Sequence, residues 1–126
     1  MTKVALVSTK DRGKGVGRVI DLLGLKSYRG KSVVLKPNLN TADPAPGSTH
    51  NDTLRSLILA LQQMGAKRIT LAERSGPGDS TRAVMKKKGI FELAQELGFN
   101  VVNLEEVGSE GWVKVEPEES HWSRGF

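Results

Sequence analysis

The 126-residue sequence contains no cysteine. That absence excludes disulfides, thiol nucleophiles, zinc–thiolate centres and any cysteine-ligated iron–sulfur cluster held within this chain. Aromatic residues make up only 5%, which leaves few flat faces on which single-stranded bases could stack. No recognisable nucleic-acid motif is present, so nucleic acid is not the expected partner. No apolar run approaches a membrane span. The opening MTKVALVSTK is too short in its apolar part for a secretory leader, so a cytoplasmic location is expected. The sequon Asn51-Asp52-Thr53 then has no consequence.

The composition is ordinary, with 37% hydrophobic and 26% charged residues, and predicts a single domain over 1–126. A chain of this length buries roughly two-thirds of its unfolded surface on folding. The net charge of +5 is unevenly divided. Residues 1–90 hold 17 Lys and Arg against 6 Asp and Glu, a net +11, and residues 91–126 hold 2 against 8, a net −6. A basic body of this kind attracts small anions and phosphates. Its cations are spread along the chain, with Lys86-Lys87-Lys88 the single run.

Short apolar runs alternate with segments of helical period. Four strands are predicted, at Val4–Val7, within SVVLK, within RITLAE and within NVVNLEE. Val16, Val19, Ile20 and Leu23 follow the helical spacing and stop at Gly24. Leu54, Leu57, Ile58, Leu61 and Met64 mark a helix from Thr49 to Met64, with Gly65 just past its end. Thr49 and Asp52 read as a capping box. A third helical region, STRAVMKKKGIFELAQELG, is expected to break at Gly89. The alternation predicts an α/β fold: a parallel, Rossmann-like sheet of about four strands with helices on both faces. The tail, 108–126, is acidic and carries both tryptophans, His121 and Phe126. It offers one short strand, Trp112 to Val115, and its aromatic residues suggest a packing partner, a second copy of the chain among the options.

Ligands of open parallel sheets bind beyond the carboxyl ends of the strands. The second strand ends there in KPNLNTADPAPGSTHND. Pro37 stops the ladder, Pro44 and Pro46 stiffen the loop, and His50 sits at the top of the buried stripe of the following helix. Lys36, Asn38, Asn40, Asp43, His50 and Asp52 are therefore candidates for one cleft. The third strand ends in ERSGPGDST, where Glu73 is a candidate base and Arg74 a candidate anion clamp. Ser75, Gly76 and Gly78 belong to a turn whose amides could face an anion. His50 and Glu73 are the candidate catalytic residues, and His50 is also a candidate metal ligand. The glycines Gly13, Gly15 and Gly17 do not fit a dinucleotide fingerprint, because Arg18 stands where the third glycine belongs and Lys36 where an acid would.

Across KPNLNTADPAPGSTHNDTLRSLI, ERSGPGDSTRAVMKKKGI and SHWSRGF the chain resembles an uncharacterised family, domain of unknown function 362. The resemblance covers essentially all of the sequence. It implies an α/β protein, often encoded with or fused to ferredoxin-type iron–sulfur modules, and a distant similarity to two-domain lactate racemases that hold a nickel-pincer nucleotide. Members of the family are typically more than twice as long, so the chain is expected to be an amino-terminal part that meets a second domain or an iron–sulfur protein. The expected function is anion or metabolite binding within a metabolic enzyme or redox protein, the alternatives being a non-catalytic phosphate- or nucleotide-binding module and a remnant without activity.

Overall fold

The computed structural model describes residues 2–115. Helix α1 (Arg12–Leu23) precedes strand β1 (Ser32–Leu35), helix α2 (Asn51–Gln63) and strand β2 (Arg68–Glu73). Helices α3 (Thr81–Lys87) and α4 (Ile90–Leu97), strand β3 (Asn100–Asn103) and a 3-10 turn (Ser109–Gly111) follow. The described residues form a three-stranded parallel sheet in the order β1-β2-β3, in which Leu71 of β2 stands between Leu35 and Val101. Among the described residues no helix is long and apolar enough to cross a membrane.

The α/β class therefore holds, with three strands in place of four. Among the described residues the predicted strand Val4–Val7 pairs with no other strand, and Val4 and Leu6 stand 88% and 93% exposed. A four-residue apolar run is a strand only where a ladder and a packed face receive it. Here Val7 instead turns towards α1, where it lines an apolar groove with Val16 and Ile20. The expected short strand from Trp112 to Val115 is likewise not formed, and the Trp112 indole N–H donates to the Val107 carbonyl at 3.3 Å. The readings placed on His121, Trp122 and Phe126 lie outside the described residues.

Sequential strand order with right-handed crossovers puts the connecting helices on one face of the sheet rather than on both. The side-chain alternation agrees. Along β2, Ile69, Leu71 and Glu73 are buried while Thr70 and Ala72 are half-buried, and Val34 on β1 is 67% exposed. The buried face meets Leu54, Ile58 and Leu61 of α2, Val84 and Met85 of α3, and Ile90 and Leu93 of α4. The helical periods read from sequence are those of α1, α2 and the α3–α4 pair, which Gly89 separates at φ 66°. α1 begins at Arg12, with Asp11 accepting from the Lys14 amide, so the glycine-rich stretch lies inside the helix.

Ile58 is fully buried in this core. Ile58→Ala is expected to lower the unfolding free energy by about 2–5 kcal/mol, the usual cost of removing a core aliphatic side chain. Urea denaturation checks this, and a loss below about 0.5 kcal/mol, typical of surface positions, would show that Ile58 is not a core residue.

Candidate functional site

The carboxyl ends of β1 and β2 are joined by one side chain. Glu73, the last residue of β2, points into the core side of the sheet and is fully buried. Its Oε2 accepts from the Leu39 amide at 2.9 Å and its Oε1 from the Arg74 amide at 2.8 Å. The Lys36 ammonium, just past the end of β1, completes the set as an ion pair with Oε1. A buried carboxylate is tolerated only when it is paired and hydrogen-bonded in this way. The result is that the chain leaving β1 is fastened to the chain leaving β2.

The fastening continues outward. The Ser75 hydroxyl donates to the Leu39 carbonyl at 2.7 Å, and the Gly76 amide to the Asn40 carbonyl at 3.1 Å. A side chain at position 76 would collide with the Asn40 amide group, which explains the glycine. Asn38 closes the long loop on itself: its amide donates to Thr49 Oγ1 at 2.9 Å, its carbonyl accepts from the Thr49 amide at 2.8 Å, and its side chain reaches the Gly47 carbonyl. Buried Ser48 donates to the Thr41 carbonyl, and the Ala45–Pro46 peptide bond is cis.

The start of α3, where an anion was expected, is occupied by the protein's own carboxylate. Glu105, on the segment after β3, accepts from the Thr81 amide at 2.7 Å, while Ser80 caps the Ala83 amide. Thr81 in turn accepts from the Ser75 amide through Oγ1. The amides of Arg74, Ser75 and Gly76 are thus all engaged within the protein. Beside them Arg82 forks onto Glu106 at 2.5–2.7 Å, and that hydrogen-bonded pairing holds the Glu106 carboxyl below the usual carboxylate range and raises the Arg82 guanidinium. Arg74 itself is exposed and enters no ion pair among the described residues.

His50 takes a role that the predicted capping box did not include. It is the N-cap of α2, with Nδ1 accepting from the Asp52 amide at 3.1 Å; Thr49 is drawn away to Asn38, and the Asp52 carboxylate lies 3.5 Å from Nδ1. A lone pair committed at Nδ1 places the proton of neutral imidazole on Nε2. In that tautomer Nε2 is a hydrogen-bond donor. No three His, Asp or Glu side chains converge as a metal-binding group among the described residues. The ring lines a cleft of about 390 Å³ with Asn51, Lys87, Lys88 and the loop residues Ala42, Pro44 and Ala45. Beneath it the Asn51 side-chain amide donates to the Lys88 carbonyl at 2.6 Å, while its Oδ1 is buried without a partner. The Lys88 ammonium reaches the Asp43 carbonyl at 3.1 Å, and Lys87 reaches Asp79 at 2.7 Å.

The predicted residues therefore fall into connected but distinct groups. Lys36, Asn38, Asn40, Glu73, Ser75 and Gly76 form the fastening of the two loops. His50 lines the cleft, and Asp52 lines another, of about 430 Å³, with Lys10, Arg12 and Arg55. Gly78 sits at φ 129° with open space around it. Asn51, Lys87 and Lys88 were missed as site residues. Their one visible signal is the lysine run, which reads in sequence as a solvated face.

Glu73→Ala should cost at least about 1–3 kcal/mol, because the buried Leu39 amide loses its acceptor. Thermal unfolding checks it, and an unchanged midpoint would show that the carboxylate does not fasten the loop.

Two comparisons return nothing: no curated protein and no solved structure matches the chain. A family model described as domain of unknown function (DUF362) matches residues 33–125. That span starts at the second residue of β1 and takes in the fastened loops, the cleft, β2 and β3. The chain belongs to the DUF362 family.

Proposed function

We propose that the chain binds a small anionic metabolite at the carboxyl edge of its sheet, in the cleft bounded by His50, Asn51, Lys87 and Lys88. The observation that carries this reading is the chemistry of the lining. The Lys87 and Lys88 ammonium groups and the His50 imidazole supply positive charge and hydrogen-bond donors around the cleft. A ligand that matches this lining is small and carries an anionic group, such as a phosphate or a carboxylate.

A module that acts by binding is favoured over a catalyst within this chain. Glu73 has both oxygens engaged, and His50 has Nδ1 committed to the helix cap, so neither presents a free base. Proton transfer from His50 Nε2–H, in a metabolic enzyme or iron–sulfur-linked redox protein completed by a second domain, is the further step this reading allows. The resemblance to iron–sulfur-associated proteins supports that setting.

Titration of ¹⁵N-labelled protein with inorganic phosphate and with a glycerol phosphate tests the site. Saturable shifts are expected with both probes at residues 42–45, 50, 51, 87 and 88. Lys87→Gln with Lys88→Gln should weaken binding about tenfold, or about 1.4 kcal/mol. His50→Asn keeps a good helix cap and should weaken binding without loss of folding. Saturable shifts confined to Arg74 and residues 76–78, or no saturable shift at all, would refute the assignment.

A further inference from the structure

The opposite, amino edge of the sheet carries a second charged feature, independent of the cleft. Two chain segments meet there. Arg29 bridges to Ala66, the Gly30 amide donates to the Gly65 carbonyl at 3.2 Å, and the Lys31 carbonyl accepts from the Lys67 amide at 2.8 Å. A Cβ on Gly65 would already lie 3.3 Å from the Arg29 Cα, so the crossing is close. It brings Arg29, Lys31, Lys67 and Arg68 together. All four are exposed, and none enters an ion pair among the described residues. There is no Asp or Glu anywhere in residues 22–42 or 53–72 to neutralise them.

The plainest role for such cations is to complement helix C-termini. Helices α2 and α4 end at this edge, but neither has a basic residue in its last turn. Two helix ends amount to roughly half a negative charge each, against four full positive charges. A large positive excess remains. Between the strand starts lies a cleft of about 370 Å³ lined by Ser32, Lys67, Arg68, Ile69, Gly98 and Asn100. Its size admits side chains rather than a nucleic-acid helix, and among the described residues that line it there is no aromatic ring for base stacking.

We infer that this edge is a docking surface for an acidic segment of a partner protein. Guanidinium groups of Arg29 and Arg68 fork onto carboxylates, Lys31 and Lys67 add long-range attraction, and Ser32 and Asn100 offer neutral hydrogen bonds in the cleft. The attraction acts mainly on the rate and specificity of encounter and weakens with added salt.

Fluorescence anisotropy with a labelled glutamate-rich peptide tests this on the full chain. Binding at low ionic strength is expected and should fall steeply with salt. Lys67→Glu with Arg68→Glu should weaken it about tenfold or more, as removal of close charge pairs does. Lys3→Glu with Lys10→Glu makes the same change in net charge elsewhere and should alter it by less than about twofold. The neutral pair Arg29→Gln with Lys31→Gln, which leaves the backbone crossing intact, should also weaken binding. Equal losses in the edge and control variants, absence of binding at low salt, or tighter binding to duplex DNA or to anionic vesicles than to the peptide would each overturn the inference.

Discussion

One buried carboxylate organises the carboxyl edge of the sheet. Glu73 ends the central strand on its core-facing side, where an unpaired charge would be costly, and it is satisfied by the Leu39 and Arg74 amides and by Lys36. Because those donors come from both strand ends, satisfying the charge also fixes where the two loops begin. The contacts further out then follow from that start: Ser75 with Leu39, Gly76 with Asn40, and Thr81 with Ser75.

The protein also uses its own carboxylates at the turn whose amides the sequence offers to an anion. Glu105 sits on the first amide of α3, and Glu106 holds Arg82. Among the described residues the buried side-chain atoms left without a partner are Asn51 Oδ1 beside α2 and Asn103 Nδ2 at the end of β3. The two ends of the sheet are thus electrostatically different. The carboxyl edge mixes both signs at short range, and the amino edge is positive with no counter-charge in its own segments.

Much of this was legible in the sequence, and the exceptions have physical causes. Leu54, Ile58 and Leu61 advertise α2 because one buried stripe needs that spacing, and Gly24 and Gly89 mark helix ends that require a left-handed residue. The concentration of polar loops at one rim follows from parallel crossovers. What the pattern could not tell was pairing. Val4–Val7 has the composition of a strand but finds no ladder, and the one-faced placement of helices depends on strand order. At the rim, residue type predicted involvement better than role. Glu73 reads as a base until its burial and three donors are seen, Thr49 reads as a cap until Asn38 takes it, and Lys87 and Lys88 read as solvated until the loop of Ala42–Ala45 comes opposite.

Amide hydrogen exchange at Leu39 tests the central claim most directly. If the Glu73 carboxylate fastens the two loops, the Leu39 amide exchanges as slowly as that of Leu71 in the middle of the sheet, although it lies outside any regular element. A Leu39 amide that exchanges as fast as the exposed turn at Gly78, while Leu71 stays protected, would contradict the account.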